Sequence, residues 1–271
     1  MMTTTTTTHT LTVAGVGPVD VTIDDRGEGR PVLLLHGGGG PQSVAGFAAL
    51  LSGVEPARVI TPTHPGFGGT PRPDALHSIA GLAALYAALL AELDLRDVTV
   101  VGNSIGGWIA AELALRDPAR LGGLALVDAV GIEVPGHPVA DFFSLTMDQV
   151  AQLSYHDPAT FRAYAATLSE TQRAAMATNR AALAVYAGTS MADPTLAGRL
   201  ARIAVPALVL WGDSDRIVDP DYGRAYATAI PGARFQLLQA TGHLPQIETP
   251  DQLLNPIWDF AATHALSRPT H

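Results

Sequence analysis

The chain has 271 residues, of which 47% are hydrophobic and 15% charged, and its formal net charge at pH 7 is -9. This composition predicts a sizeable apolar core, and the length suits one α/β domain that carries an insertion. The acidic balance excludes nucleic acid and anionic membrane surfaces as partners, because both would repel the chain. Since cysteine is absent, disulfides, thiolate metal sites and a thiol nucleophile are excluded as well.

The two ends of the chain are expected to be tails. Residues 1–10 are nearly all threonine and lack the basic and apolar regions of a signal peptide, so we expect a frayed, disordered segment there. A second tail is expected over residues 266–271. Glycine, proline or a charge interrupts every apolar stretch before it reaches the roughly eighteen residues that a membrane helix needs. We therefore expect no membrane association and a cytoplasmic location.

Strand and helix patterns alternate from residue 11 onward. Residues 11–13 and 19–23 alternate apolar and polar side chains, which predicts a hairpin with one wet face. Four short apolar runs are typical of parallel strands buried on both faces, and they lie at residues 31–35, 58–61, 98–101 and 124–127. Helical periodicity fills residues 79–93 and 105–115. The alternation predicts the α/β class, with a mostly parallel twisted sheet flanked by helices.

This alternation stops over residues 132–198, where helix signals occur without a convincing strand. Thr146 with Gln149 fits a capping box, and Asp157 before Pro158 places a capping carboxylate ahead of a proline at the first helical position. An apolar strand pattern resumes at residues 207–211. We predict a helical cap at residues 132–198, inserted after the sixth strand into a core formed by residues 11–131 and 199–265.

The main chemical signal is Gly-Asn-Ser-Ile-Gly at residues 102–106, which lies between a predicted buried strand and a predicted helix. A turn this sharp holds Ser104 on strained backbone, and the glycines avoid collisions that side chains would cause there. We predict that Ser104 is a nucleophile. The alternative is an ordinary glycine-rich turn in which Ser104 only caps the helix.

A serine hydroxyl needs a base to accept its proton, and His243 is the best placed of the nine histidines. It follows the last predicted strand, and loops beyond the carboxyl ends of parallel strands commonly carry function. His264 and His271 lie near the C-terminus, and the remaining histidines show no ligand spacing. We therefore expect no metal and no cofactor.

Three aspartates compete to orient this histidine. Asp213 and Asp215 follow the apolar run at residues 207–211, and Asp128 follows the run at residues 124–127. We prefer Asp215, because Asp213 is better suited to shaping the turn and because the chain order Ser, Asp, His agrees with it. Asp128 stays open as the alternative, since some enzymes of this architecture place their acid there.

Backbone amides are needed to stabilise a negatively charged oxygen during acyl transfer. Residues 36–40 read His-Gly-Gly-Gly-Gly and follow a predicted strand, so a carbonyl oxygen can approach them closely. We predict an oxyanion hole formed by the amides of Gly38 and Ile105, where the start of the helix adds its dipole. A phosphate-binding loop is excluded because no Lys-Ser or Lys-Thr follows these glycines.

Together these motifs resemble the α/β-hydrolase superfamily over residues 13–260. Five of them occur in its order: the oxyanion loop, the P-G-x-G turn, the nucleophile elbow, the acid loop and the histidine loop, at residues 36–40, 65–68, 102–106, 212–218 and 242–250. The resemblance implies an α/β-hydrolase fold with a helical cap. One departure is Thr63-His64 before the P-G-x-G turn, where relatives often carry an acidic residue.

The resemblance implies acyl transfer to water, because the dehalogenase and epoxide hydrolase branches attack with a carboxylate instead of a serine. We expect hydrolysis of a carboxylic ester, lactone or thioester of a small apolar or aromatic substrate through an acyl-enzyme. Asn103 also resembles the meta-cleavage product hydrolases, which cut carbon-carbon bonds, but their Trp after the histidine is Leu244 here. A non-catalytic ligand receptor on the same fold is a further alternative.

The expected partner is a small molecule, bound between the cap and the serine; the oligomeric state is left open. The candidate pocket residues come from both regions of the chain: Gly39, Asn103, Phe142, Phe143, Tyr186 and Leu244. The cap also contains arginines that could bind a substrate carboxylate, namely Arg162, Arg173 and Arg180.

Overall fold

The computed structural model of the chain describes residues 4–264. Within these residues, eight strands form one sheet in the order β1-β2-β4-β3-β5-β6-β7-β8. The strands are β1 (Thr4–Val13), β2 (Gly17–Arg26), β3 (Arg30–Leu35), β4 (Ala57–Pro62), β5 (Val98–Asn103), β6 (Leu121–Val127), β7 (Ala207–Gly212) and β8 (Arg234–Leu238). The pairings of β1 with β2 and of β2 with β4 are antiparallel, and the pairings from β4 to β8 are parallel. The prediction of a mostly parallel α/β sheet is confirmed.

Helices follow most of the strands. They are α1 (Gln42–Val54), α2 (Ile79–Glu92), α3 (Ile105–Arg116), α4 (Met147–Ser154), α5 (Pro158–Thr167), α6 (Glu170–Ala187), α7 (Leu196–Leu200), α8 (Pro220–Ala229), α9 (Pro245–Glu248) and α10 (Pro250–Thr263). Across residues 4–264, no helix is long and apolar enough to cross a membrane.

The sheet separates two apolar cores, because successive side chains of a strand point to opposite faces. Leu33 and Leu35 of β3 pack on one face in the cluster that contains α2 and α3. Val32 and Leu34 pack on the other face with residues of α1 and α10. Every residue of β5, β6 and β7 is buried, which explains why none of these strands contains a charged residue. These three strands end beside one another and carry the loops of the candidate site.

The N-terminal segment differs from the sequence prediction. Residues 4–10 are not a frayed tail; they belong to β1, which pairs antiparallel with β2 from Thr4 opposite Arg26 to Val13 opposite Gly17. Threonine is β-branched and fits a pleated strand, and two of its hydroxyl groups donate to Asp20 and Asp24 across the ladder. The prediction of a disordered tail was wrong for residues 4–10, because hydrogen bonds to β2 stabilise a strand there although the side chains are polar. The predicted tail at residues 266–271 lies outside the described residues.

The insertion after the sixth strand is helical, as predicted. Helices α4, α5, α6 and α7 lie between the end of β6 and the start of β7. Thr146 and Gln149 form the reciprocal capping box at the start of α4, and the side chain of Asp157 caps α5. We refer to residues 132–198 as the cap and to the remaining described residues as the body.

Candidate active site

Ser104 lies in a tight turn between β5 and α3. Its φ and ψ of 57° and -120° place a non-glycine residue in a strained conformation. A Cβ at Gly102 would lie 2.1 Å from the carbonyl oxygen of Gly106, and one at Gly106 would lie 2.3 Å from that of Leu35. Glycine is therefore needed on both sides of the turn. The side chain of Ser104 makes no capping hydrogen bond to α3, which disfavours the interpretation as a simple helix cap.

His243 is joined to Asp215 inside the protein. The distance from His243 Nδ1 to Asp215 Oδ2 is 2.7 Å, and the two side chains are 8% and 0% exposed. The other oxygen of Asp215, Oδ1, accepts from the amides of Ile217 at 2.8 Å and Val218 at 3.2 Å. The carboxylate is thus fixed, and because Nδ1 donates to it, Nε2 is left as the basic nitrogen of the ring.

The competing aspartates have other hydrogen bonds. Asp213 accepts from the amides of Ala240 at 3.1 Å and Thr241 at 3.3 Å, so it holds the start of the histidine loop. Asp128 is fully buried and its Oδ1 accepts from the amide of Gly212 at 2.8 Å. The structure therefore brings Asp215, and not Asp213, to the histidine ring.

Three side chains at this position lie close enough together to bind a metal ion. Among the described residues, ligand atoms of Asp128, Asp215 and His243 all lie within 4.8 Å of one another. The nitrogen of His243 that faces the carboxylates is, however, at hydrogen-bond distance from Asp215. This donor set fits a network of shared protons better than a metal site, for which both carboxylates would have to be ionised in a dry environment.

The predicted oxyanion loop adjoins the nucleophile. A Cβ at Gly37 would lie 3.0 Å from the Cβ of Ser104, and Gly38 and Gly39 line the same cavity as Ser104 and His243. Ile105 is the first residue of α3, where amide groups have no partner within the helix. The roles of the Gly38 and Ile105 amides remain predictions.

A buried histidine pair supports this loop. His36 donates from Nδ1 to the carbonyl of Gly37 at 2.8 Å and accepts at Nε2 from the amide of His64 at 3.1 Å. His64 in turn donates from Nε2 to the carbonyl of His36 at 2.9 Å and contacts the hydroxyl of Tyr86 through Nδ1. Burial lowers the pKa of His36 to about 4 and lowers that of His64 as well, so both rings are neutral. Sequence reasoning noted His64 only as a departure and missed this support.

Asn103 links the turn that carries Ser104 to the histidine loop. Its amide nitrogen donates to the carbonyls of His243 at 3.0 Å and Val127 at 3.2 Å, and its Oδ1 accepts from Gln246 at 3.0 Å. Asn103 borders the cavity, as predicted for a pocket residue. Its amide is nevertheless used within the protein, so its main contribution is to hold two loops together.

An apolar cavity lies between the cap and Ser104. Predicted pocket residues Gly39, Asn103, Phe142 and Leu244 line it, together with cap side chains that sequence reasoning did not select, among them Phe161, Leu168, Met176 and Leu183. Two predicted residues are corrected. Phe143 lies edge-on against Phe142, outside the lining, and Tyr186 is turned to the body, where its hydroxyl donates to the carbonyl of Pro65 at 2.9 Å.

One of the three candidate arginines reaches the cavity. Arg180 is the single arginine or lysine in the lining found within residues 4–264. Its Nη2 donates to the carbonyls of Phe142 at 2.9 Å, Phe143 at 2.8 Å and Leu145 at 3.1 Å, and its guanidinium lies 5.0 Å from the centre of the Phe142 ring. Within the described part of the chain, no carboxylate forms an ion pair with Arg180. Arg162 and Arg173 do not line the cavity.

Comparisons with known proteins agree with this fold. The profile described as "Alpha/beta hydrolase family" matches residues 32–255. A 2-hydroxymuconate semialdehyde hydrolase from Pseudomonas putida is 30% identical over 253 residues, which cover 89% of this chain and 90% of that protein. Lipase 1 from Psychrobacter immobilis is 27% identical over 242 residues, covering 83% of this chain and 74% of the lipase. The solved structure of a thermophilic esterase from Thermogutta terrifontis superposes with a TM-score of 0.77 at 25% identity, covering 96% of this chain and all of the esterase.

The chain belongs to the α/β hydrolase family. Its relatives include proteins named as lipases and esterases and proteins named as hydrolases of 2-hydroxymuconate semialdehyde and of 2-hydroxy-6-oxo-2,4-heptadienoate.

Proposed function

We propose that this chain hydrolyses carboxylic esters of small apolar or aromatic molecules through an acyl-enzyme on Ser104. The observation that carries the proposal is the placement of strained Ser104 and the His243-Asp215 pair at one end of an apolar cavity. A nucleophile, a base and an acid that orients the base are the side chains that ester hydrolysis through an acyl-enzyme requires.

The proposed reaction has two halves. Ser104 Oγ attacks the ester carbonyl while Nε2 of His243 takes its proton, and the same proton passes to the departing alcohol. Asp215 keeps the imidazole in the tautomer that leaves Nε2 basic and stabilises the ring when it is charged. The amides of Gly38 and Ile105 hold the negative oxygen of the tetrahedral intermediate. Water, activated by His243, then releases the acid and restores Ser104.

The first test is the hydrolysis of p-nitrophenyl esters of increasing acyl length by wild type, Ser104→Ala and Ser154→Ala. Ser154 is a matched control, because it is a buried serine that lines the same cavity. We expect Ser104→Ala to lower kcat by about 10⁵- to 10⁶-fold, as removal of a serine nucleophile does elsewhere. We expect Ser154→Ala to stay within about threefold of wild type, because Ser154 meets the histidine loop through its backbone carbonyl, which the substitution retains. Equal activity in the two variants would refute Ser104 as the nucleophile.

A second candidate is the hydrolysis of a carbon-carbon bond in a dienoic acid, and Arg180 favours it. A cation in an apolar cavity with no carboxylate partner among the described residues would bind a substrate carboxylate strongly. The relative from Pseudomonas putida is named for a substrate of this class. Leu244 in place of Trp is the feature that argues against it.

Arg180→Met and Arg173→Met separate the two candidates. Assayed on a 2-hydroxy-6-oxodienoic acid and on a neutral ester of similar size, Arg180→Met is expected to raise KM for the acid about 10- to 100-fold, the cost of a lost charge pair. The neutral ester should change little, and Arg173→Met should affect neither substrate. Turnover of the ester alone supports the esterase, and turnover of the acid alone replaces it with the second candidate. If wild type binds an ester without turning it over, the chain is a ligand receptor.

A further inference from the structure

Asp128 is a buried acid that the reaction proposed above does not use. It follows β6 directly, its side chain is 0% exposed, and its φ of 46° is unusual for a residue other than glycine. Its amide donates to the carbonyl of Leu210 at 3.0 Å, which anchors this conformation to β7. Backbone strain at a fully buried carboxyl indicates that the side chain is held in place for a reason.

The hydrogen bonds of the two acids are unequal. Asp215 receives three donors, namely two backbone amides and the ring of His243. Asp128 receives one amide, at Oδ1, and no donor among the described residues reaches its Oδ2. The carboxyl oxygens of the two acids lie within 4.8 Å of each other.

Two carboxylates cannot both carry a charge at this distance without solvent, because each disfavours ionisation of the other. A proton must therefore lie on one of them. The richer set of donors around Asp215 stabilises the negative charge there, which leaves Asp128 as the acid that carries the proton.

We propose that Asp128 is a neutral carboxylic acid whose Oδ2-H donates to the carboxylate of Asp215, and that it acts as a positioning residue for the His243-Asp215 pair. Its proton gives Asp215 a fourth donor and keeps the total charge of the two acids at -1. The inference rests on the proposed function only in that His243 is taken as the base.

The direction of titration agrees with this assignment. Burial raises the pKa of Asp128 well above its ordinary value, and the charge of Asp215 raises it further. The ionisable groups that face it in the described residues are Asp215, from the loop after β7, and His243, from the loop after β8. No arginine or lysine is among the groups that act on it.

Infrared spectroscopy tests the protonation state without any substrate. We expect the difference spectrum of wild type minus Asp128→Asn at pH 7 to contain the carbonyl band of a neutral carboxylic acid. Asparagine is the suitable variant, because it tolerates a positive φ and retains one acceptor and one donor. If the difference shows the loss of an ionised carboxylate instead, the proposal is overturned.

The positioning role is tested by the rate at which a fluorophosphonate labels Ser104, which needs no knowledge of the natural substrate. Asp128→Asn should label within about threefold of wild type, because its amide can still donate to Asp215, and Asp128→Ala should label about 10- to 100-fold more slowly. The acidic limb of the pH profile of labelling should keep its midpoint in Asp128→Asn. Equal rates in the two variants, or a midpoint that falls by about one pH unit in Asp128→Asn, would contradict the proposal.

These readouts separate the inference from the esterase proposal. Absence of ester turnover with rapid labelling of Ser104 would reject the proposed substrate and leave the role of Asp128 intact. If Ser104 is not labelled in wild type while the neutral-acid band is present, the esterase proposal and the positioning role are both rejected, and only the protonation of Asp128 stands.

Discussion

The body and the cap are built in different ways. In the body, β5, β6 and β7 are buried at every position, and the loops at their ends carry Ser104, Asp128 and Asp215. In the cap, α5 has no buried residue and α6 buries only part of one face. The groups that we propose as catalytic are thus fixed by a dense core, whereas much of the cavity wall comes from helices that have few buried side chains. In such an arrangement, substitutions in the cap can alter which substrate is bound without displacing the side chains of the body.

Polar contacts of α6 are one of the places where the cap meets the body. Asn179 is buried; its Oδ1 accepts from the amide of Gly68 at 2.8 Å, and its Nδ2 donates to the carbonyl of Gly39 at 3.4 Å. Tyr186 adds its hydrogen bond to Pro65 and stacks on Phe67. The cap therefore contacts the oxyanion loop and the P-G-x-G turn directly, so its docking can affect both substrate binding and the shape of the site.

The largest expected effect is the loss of activity when Asp215, which lies in the body, is replaced. Asp215→Asn should lower kcat/KM by about 10⁴-fold, because the amide no longer holds the imidazole in the required tautomer. Asp213→Asn is the matched control and should cost less than about tenfold, since it keeps one of the two oxygens that accept from the histidine loop and Asp213 does not contact the imidazole. Ester hydrolysis by both purified variants measures the difference. A large loss in Asp128→Asn with a small one in Asp215→Asn would transfer the role to Asp128.

The next largest effect concerns the free energy of unfolding, which should depend on pH because His36 and His64 are buried in the body. The pKa of His36 is about 4 in the folded chain, against 6.5 ordinarily, so the unfolded state binds the proton first as the pH falls. The free energy of unfolding should therefore decrease between about pH 6.5 and pH 4, by up to about 3 kcal/mol from His36 alone, and His64 acts in the same direction.

Urea unfolding of wild type, His36→Asn and His77→Asn across this pH range checks the prediction. His36→Asn should lower stability at pH 8 but lose less on acidification than wild type does. His77 is exposed and its substitution should leave the pH dependence unchanged. If the free energy of unfolding of His36→Asn depends on pH as steeply as that of wild type, His36 is excluded as the source of the pH dependence.

The smallest effect is expected where the cap meets the body. Asn179→Ala removes the acceptor for Gly68 and the donor to Gly39, and should lower the free energy of unfolding by about 1 to 3 kcal/mol. The exposed Asn255→Ala serves as control and should change it by less than about 0.5 kcal/mol. We also expect Asn179→Ala to raise KM more than it lowers kcat, because the catalytic groups stay fixed by the body. A variant with unchanged stability and unchanged KM would show that Asn179 does not couple the two regions.

Much of the body is determined by local sequence. The apolar runs of β3 and of β5 to β7 specify strands buried on both faces, because no other short element accommodates such runs between turn residues. The glycines around Ser104 specify the sharp turn, and the capping pairs at Thr146 and Asp157 specify where two cap helices begin. Local chemistry was thus sufficient to predict the α/β class, the helical insertion and the loops on which Ser104 and His243 lie.

Other features depended on contacts between distant parts of the chain. Residues 4–10 form a strand only because β2 lies beside them, and Tyr186 is turned away from the cavity because its hydroxyl donates to Pro65 of the body. The choice of Asp215 as partner of His243, with Asp128 beside it, depends on three loops from three strands meeting at one edge of the sheet. One sequence read along its length determines which groups are present, but their partners are set by packing over long sequence separations, which only the tertiary structure decides.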